Sequence, residues 1–330
     1  MAGRFQKVVV AIALVAALLM ITLSDAGIAA VADVALGYGF GIASIVIALL
    51  LIQFLWARLR QPSGENPTAW YRAYAAQIRW CDIIASLLAL TVTVSCFTVY
   101  KGTVVGSGGY GFDAMFIAWD RAIFAGNDPW VLTHSVLPSA FGTKVIDILY
   151  HPTFLPMVIG FIVCIATQAK TALRYTYMTA YLTSFVIIGM ISASALHSAG
   201  PIYDGALFGD GQTFAPLIAR LAEQNAEAGP FSAVFAQDYL LRLNEEGVTG
   251  FGGGISAMPS MHIVLAFLWV FAAYHLHRAL GVIVTLYALV IWFGSVHLGW
   301  HYFVDGLVGL IMLALIWYVA GRTFGLYGRA

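Results

Sequence analysis

Charged side chains are scarce in this sequence. Lys, Arg, Asp and Glu make up 10% of its 330 residues, whereas a typical soluble domain has about 25%. The 16 basic and 16 acidic residues cancel to a formal net charge of zero, which argues against nucleic acid as a partner. The composition therefore excludes an ordinary water-solvated globular domain.

Cysteine is also rare, and its pattern contains no metal-binding signature. Cys81, Cys96 and Cys164 lie in or at the ends of apolar runs and form no CxxC pair. We expect them to be small buried hydrophobic residues and not zinc ligands or a disulfide framework. The chain also has no internal repeat, no low-complexity tract and no segment with the composition of a soluble domain.

Apolar residues, in contrast, make up 61% of the chain. A transmembrane helix needs about 20 mainly apolar residues, and eight runs approach or reach this length. We therefore predict an all-α polytopic membrane protein. The approximate bounds of the eight spans are 8–23, 34–56, 82–100, 153–168, 175–196, 261–277, 280–296 and 300–320.

The beginning of the chain leaves one alternative open. Arg4 and Lys7 precede the first run, and Ser24-Asp25-Ala26-Gly27 and the small residues at 28–30 follow it. The run is thus either a first transmembrane helix or a cleaved secretory signal.

The next two segments carry local signals of a different kind. The second run contains three glycines at 37, 39 and 41, where helices are expected to approach closely. The polar stretch that follows has a turn signal at Pro62-Ser63-Gly64. From Thr68 to Trp80 the pattern favours an amphipathic helix on the lipid surface.

Lysine and arginine are distributed unevenly between alternate loops, which sets the predicted orientation. The residues of the richer set are Arg4, Lys7, Arg58, Arg60, Arg72, Arg79, Lys170, Arg174, Arg278, Arg322 and Arg329. The opposite set has only Lys101, Arg121, Lys144, Arg220 and Arg242, with most of the acids. We therefore expect both termini to be cytoplasmic. Two polar segments, 101–151 with short interfacial helices and 197–259, are then extracytoplasmic.

Two histidines and an aspartate lie at the mouths of the last apolar runs. Pro259-Ser260-Met261-His262 opens the sixth span, and His301-Tyr302-Phe303-Val304-Asp305 opens the eighth. On a helix, His301 and Asp305 share one face, so the carboxylate can accept the ring's Nδ1–H and leave Nε2 as a nucleophile. His262 is near a helix start, which favours an anion. The set suits phosphoryl transfer.

These motifs resemble those of the type 2 phosphatidic acid phosphatase (PAP2) superfamily. Met258-Pro259-Ser260-Met261-His262 resembles its P-S-x-H motif, and residues 301–305 resemble the H-x3-D end of its last motif. The resemblance implies a six-helix catalytic core preceded by two extra transmembrane helices. It also implies that His262 protonates the leaving group and that His301 forms a phosphohistidine oriented by Asp305. No metal or other cofactor is implied.

Two departures from the usual motifs point to one branch of this superfamily. The arginine expected six residues before the last-motif histidine is Ser295 here, and the K-x6-R-P motif is not found. The pattern is more similar to inositol phosphorylceramide synthases and sphingomyelin synthases. Ser198-Ala199-Gly200-Pro201-Ile202-Tyr203 resembles the Ala-Gly-Pro-aromatic loop of the inositol phosphorylceramide synthase branch. Asp120-Arg121, Gly126 and Asp128-Pro129-Trp130 match its preceding loop less specifically.

Six further residues are expected to bind substrate: Ser260, His197, Pro201, Tyr203, Arg121 and His297. Arg121 is the first choice for the phosphate among the extracytoplasmic cations, and the alternative is a pair with Asp120 or a lipid headgroup. His297 either supports the site from behind or forms a metal triad with His301 and Asp305. His197 either lines the site or is an interfacial histidine.

Other local signals are expected to be structural. His134 and His151 are predicted to be loop or interface residues. The glycine run at 252–254 is a flexible hinge or a phosphate cradle.

The resemblance implies a membrane lipid-phosphate phosphatase or phosphotransferase. Its substrate is a lipid phosphate or phospholipid, with water or an alcohol as acceptor; the oligomeric state stays open. We expect a bacterial inner (cytoplasmic) membrane protein with an extracytoplasmic active site. Residues 1–80 form two transmembrane helices with a basic cytoplasmic amphipathic segment, and 81–330 form the core. The rivals are a lipid transporter or flippase and a metal-dependent membrane oxidoreductase.

Overall fold

The structure is a computed structural model, and it describes residues 2–22, 28–59, 66–76, 78–105 and 109–327. Within these ranges, all the regular elements are helices. Two π-helical segments follow α4 and α9, at Lys101–Val105 and Ile187–Ser192, and a 3-10 turn covers Pro201–Tyr203. The α-helices are α1 (Ala2–Thr22), α2 (Ile28–Leu59), α3 (Pro67–Ala76), α4 (Trp80–Tyr100), α5 (Asp113–Ile123), α6 (Pro129–Val136), α7 (Ala140–Tyr150), α8 (Phe154–Gln168), α9 (Thr171–Val186), α10 (Ala193–Ala195), α11 (Ala215–Ala228), α12 (Ser232–Glu246), α13 (Met261–Leu276), α14 (Arg278–His297) and α15 (Phe303–Thr323).

Eight apolar helices correspond to the eight predicted spans, namely α1, α2, α4, α8, α9, α13, α14 and α15. In the described ranges, seven helical segments are long and apolar enough to cross a membrane. One of them joins α7 and α8 through a turn at Pro152, where a proline interrupts the helix. α13 has only 16 residues and buries most of its side chains among the other helices. The predicted all-α polytopic membrane fold is confirmed.

Four signals near the N-terminus have different outcomes. Ser24-Asp25-Ala26-Gly27 and the predicted turn at Pro62-Ser63-Gly64 lie outside the described residues. The helix predicted at 68–80 is present as α3, which ends four residues earlier than expected. The three glycines of α2 do not mark a close helix contact among the described residues. A Cβ added at Gly39 or Gly41 would meet nothing within 4 Å, and one at Gly37 would meet only the Phe251 side chain, at 3.6 Å.

An ion cluster joins three helices at one end of the bundle. Asp82 of α4 is 2% exposed, accepts a hydrogen bond from Arg174 of α9 at 2.6 Å and forms a salt bridge with Arg79 at 2.6 Å. Gln6 of α1 also donates to this carboxylate. Because Arg174 is as deeply buried as Asp82, each charge offsets the desolvation cost of the other.

The polar segments fold into short helices over the opposite end of the bundle. α5, α6 and α7 agree with the short helices predicted in 101–151. α11 and α12 were not predicted, although α11 has a helical period. It buries Leu217, Leu221 and Gln224 and lies against α7.

Two buried aspartates fasten these short helices to the bundle. Asp120 of α5 accepts hydrogen bonds from the first two backbone N–H groups of α15, at 2.8 and 3.0 Å. Asp147 of α7 accepts from the first two N–H groups of α12, both at 2.8 Å. Each carboxylate thus satisfies N–H groups that a helix start leaves unpaired, and fixes elements that border one cavity.

Candidate active site

The helix ends beneath these short helices enclose a cavity of about 610 Å³. Most of its wall is apolar, and four side chains that can carry positive charge line it: Lys101, His151, His262 and His301. Among the described residues that line the cavity, none is an aspartate or a glutamate. An apolar cavity with bases and no carboxylate on its surface favours an anionic ligand with an apolar body.

His301 lies between α14 and α15, and two acceptors hold its ring. Nδ1 is 2.9 Å from the carbonyl oxygen of Ala257 and 3.2 Å from Oδ2 of Asp305. Because both partners are acceptors, Nδ1 carries the proton of the neutral ring and Nε2 keeps a free lone pair. Burial lowers the pKa of His301 to about 3, and the charge of Lys101 acts in the same direction. The ring is therefore neutral and nucleophilic near pH 7.

Asp305 meets His301 across the start of α15. The sequence prediction placed the two residues on one helical turn, but α15 begins only at Phe303. Asp305 lies in the first turn, and its Oδ2 also accepts the backbone N–H of Tyr302 at 3.0 Å. The same oxygen therefore orients the imidazole and caps the helix, which fixes the position of the ring.

His262 lies in the first turn of α13, whose start is capped by Ser260. The Ser260 Oγ accepts a backbone N–H of that turn at 3.5 Å. The His262 ring lies 5.0 Å from the Tyr150 ring and 4.5 Å from the Phe154 ring. Its centroid is 6.5 Å from that of His301. Two histidines almost forty residues apart in sequence thus share one cavity.

The loop from Ser198 to Pro201 packs against the residue that precedes His301. Gly200 has a φ of +98°, and a Cβ there would lie 2.5 Å from the carbonyl oxygen of Trp300, so only glycine fits. Asp113 accepts the N–H groups of this glycine and its predecessor, and the O–H of Tyr302. The loop from Ser198 to Pro201 therefore supports the segment between α14 and α15 that contains His301. Burial raises the pKa of Asp113.

The other predicted substrate-binding residues lie in different places. Tyr203 lines the cavity, whereas Ser260, His197, Pro201, Arg121 and His297 are not among its lining residues. Arg121 is half exposed and donates two hydrogen bonds to Asp128, at 2.7 and 3.0 Å. The observed carboxylate partner of this arginine is thus Asp128 and not Asp120.

His297, the last residue of α14, is fully buried on the side of the His301 loop away from the cavity. Its ring stacks on that of His134 at 3.8 Å, and its Nε2 is 2.9 Å from the Thr143 hydroxyl. It does not line the cavity with His301. Among the described residues, no group of three or more His, Cys, Asp or Glu side chains is arranged to hold a metal ion.

The sequence prediction missed two features of the cavity. His151 lines it and is not a mere interface residue, and its Nδ1 is 3.0 Å from Oδ1 of Asp147. Lys101 was only a secondary candidate in the sequence prediction. In the described wall of the cavity, it is the one residue that is a lysine or an arginine. A signal for the first existed, because Asp147 and His151 are four residues apart, as are His301 and Asp305.

Much of the chain around this cavity matches a known protein family. The family model described as PAP2 superfamily matches residues 114–319, which is more than half of the chain. The chain belongs to the PAP2 superfamily. No curated protein and no solved structure matches it significantly.

The PAP2 superfamily match extends from α5 into α15. It includes His262, His301 and Asp305, and also the pair Asp147 and His151. It leaves out α1 to α4 and Lys101. Members of the PAP2 superfamily are generally phosphatases or phosphotransferases, so membership supports an enzyme with this class of reaction.

Proposed function

We propose that this PAP2 superfamily member is a lipid-phosphate phosphatase or phosphotransferase that works through a phosphohistidine on His301. The observation that carries the proposal is the pair His262 and His301 in one cavity that has no carboxylate on its described surface. Their centroids are 6.5 Å apart, compared with 3.8 Å for the stacked pair His134 and His297. Both rings line the cavity, so one phosphoryl group bound there can contact both of them.

In the first step, Nε2 of His301 attacks the phosphorus of the ester, and the bond to the leaving oxygen breaks. His262 gives its proton to the leaving alkoxide. Asp305 and the Ala257 carbonyl accept the Nδ1–H and stabilise the positive charge that forms on the His301 ring.

In the second step, water or an alcohol attacks the same phosphorus from the side that the leaving group left. His262 now takes the proton of the attacking hydroxyl, and the electron pair of the P–N bond returns to His301. With water the product is free phosphate, and with a lipid or sugar alcohol it is a new ester. The likeness of residues 198–203 to inositol phosphorylceramide synthases supports the transferase branch.

The apolar wall and the membrane helices support a lipid-linked substrate. We further propose that residues 81–330 form the catalytic core and 1–80 an addition to it. The distribution of lysine and arginine supports an extracytoplasmic site and cytoplasmic termini, in a bacterial inner membrane. The mechanism requires no metal or other cofactor.

The first test is phosphate release from a panel of lipid phosphates by the purified protein in EDTA, beside His301→Ala. We expect chelator-resistant release that the variant loses by at least a factor of about 10³. Headgroup exchange only after addition of an alcohol acceptor would identify a transferase. Undiminished turnover by His301→Ala would contradict the phosphohistidine, and lipid movement without turnover would favour a transporter.

A further inference from the structure

A second imidazole–carboxylate pair faces the same cavity and has no part in the mechanism above. His151 Nδ1 is 3.0 Å from Asp147 Oδ1, and His301 Nδ1 is 3.2 Å from Asp305 Oδ2. In both pairs the two residues are four apart and the aspartate is fully buried. Because Asp147 occupies Nδ1, Nε2 is the atom that His151 can offer to a ligand.

His151 is one aromatic ring away from each proposed catalytic histidine. Its ring is 5.6 Å from that of Trp300, the residue before His301. It is 4.8 Å from the Tyr150 ring, which in turn stacks on His262. Asp147 also caps α12, which contributes further residues to the cavity wall. The position of this imidazole is thus fixed from two sides.

Lys101 brings an amine that can carry positive charge to the same cavity. Its Nζ lies over the Phe97 ring, 5.7 Å from the centroid, and among the described residues no carboxylate forms a salt bridge with it. Gly254 packs directly on its backbone, since a Cβ there would be 2.7 Å from the Lys101 carbonyl carbon. This glycine lets the loop before α13 close on the lysine. An ammonium without a counterion in an apolar cavity is costly unless an anionic ligand completes it.

Both groups line the cavity that also contains His262 and His301, where the phosphate would lie. The arginine that the usual last motif has six residues before its histidine is Ser295, whose side chain is buried and donates to the carbonyl of Trp292. The cavity therefore needs another source of positive charge, and Arg121 is engaged by Asp128 outside it.

We propose that Lys101 and His151 form the anion subsite that holds the non-bridging oxygens of the phosphoryl group attacked by His301. Asp147 is a positioning residue that accepts the Nδ1–H of His151, and when this ring is protonated its Nε2–H donates to the phosphate. This inference rests on the proposed function, because it concerns the same cavity and the same phosphate ester. Charge-assisted hydrogen bonds of this kind are the strong ones.

The test uses orthovanadate, a phosphate-like anion, and the full-length protein in detergent without chelator. Its dissociation constant is measured by calorimetry for the wild type, His151→Gln and Lys101→Met. We expect each variant to bind about 10- to 100-fold more weakly, with an unchanged melting temperature in the absence of vanadate. Lys101→Arg should recover most of the affinity. The controls Lys170→Met and His277→Gln, at the other end of the bundle, should bind like the wild type.

The outcomes separate this inference from the proposed function. If the wild type turns over lipid phosphates and binds vanadate, but His151→Gln and Lys101→Met keep its affinity, the subsite is wrong and the phosphohistidine stands. If the wild type neither binds vanadate nor releases or transfers phosphate, the proposed function fails first. Where Lys101→Met does not fold, Lys101→Gln replaces it, and the KM of the lipid phosphate must rise more than kcat falls.

Discussion

At the scale of single residues, the site depends on carboxylates that do not line the cavity. Asp113, Asp120, Asp147 and Asp305 are all buried, and each accepts at least two hydrogen bonds from N–H or O–H groups. These bonds offset the cost of burying a charged group. The four side chains hold helix starts, a loop and two imidazoles, and of these four aspartates only Asp305 belongs to the motifs read from the sequence.

Asp120 gives a prediction about pH and stability. Burial raises the pKa of Asp120 from its usual 3.8 to about 7, and the nearby Asp305 and Asp128 add to the effect. Between these two pH values the folded protein keeps a proton that the unfolded chain has released. The free energy of unfolding should therefore fall as pH rises through this window, by up to about 1.4 kcal/mol per unit.

In Asp120→Asn this contribution disappears, because the amide does not titrate, while its oxygen still accepts one of the two N–H groups at the start of α15. We expect a flatter plot of melting temperature against pH from 4 to 7 than in the wild type. His134, whose pKa burial lowers to about 4, makes stability rise with pH in both proteins, so only the difference between them is informative. Identical slopes would show that Asp120 is ionised throughout.

At the scale of the helices, the ion cluster at the other end of the bundle decides how α1, α4 and α9 are joined. Removing one partner of a buried ion pair leaves the other charge unpaired, which costs about 3–5 kcal/mol. We therefore expect Asp82→Ala to lower the melting temperature strongly, because Arg174 stays buried. Asp82→Leu combined with Arg174→Met should recover much of the loss.

The matched control for this cluster is Arg79→Ala. The Arg79 side chain is 42% exposed, and an ion pair with an exposed partner contributes only about 0–1 kcal/mol. Melting temperatures in detergent are compared for the wild type and these three variants. A loss in Arg79→Ala as large as that in Asp82→Ala would mean that the exposed arginine, and not Arg174, is the partner that matters.

The helices also show how much the sequence can predict. All eight apolar spans were recognisable, because a membrane helix is specified by its own residues. His262, His301 and Asp305 were recognisable from short motifs. The roles of Lys101 and His151 were not, since they depend on how Gly254 and α12 pack over helix ends distant in sequence. α11 was missed because its few apolar residues were outweighed by the polar composition of the segment.

At the scale of the whole molecule, the bundle separates two kinds of polar group. The ends of α4 and α7, the start of α13 and the loop between α14 and α15 border the cavity, whereas the Asp82 cluster lies at the opposite end of α4. The positive-inside rule assigns the cavity to the extracytoplasmic side, because the arginine-rich loops are at the cluster end. This prediction concerns only the orientation of the protein in the membrane. The chemistry proposed for the cavity is the same in either orientation.

Cysteine labelling in intact bacterial cells tests the orientation. Glu245→Cys in α12 and Arg278→Cys at the start of α14 introduce exposed thiols at the two ends of the bundle, in a background without Cys81, Cys96 and Cys164. A membrane-impermeant maleimide should label Glu245→Cys in intact cells and Arg278→Cys only after permeabilisation. The reverse pattern would place the cavity on the cytoplasmic side. The histidine chemistry would then need a cytoplasmic substrate pool, and the charge distribution would need another explanation.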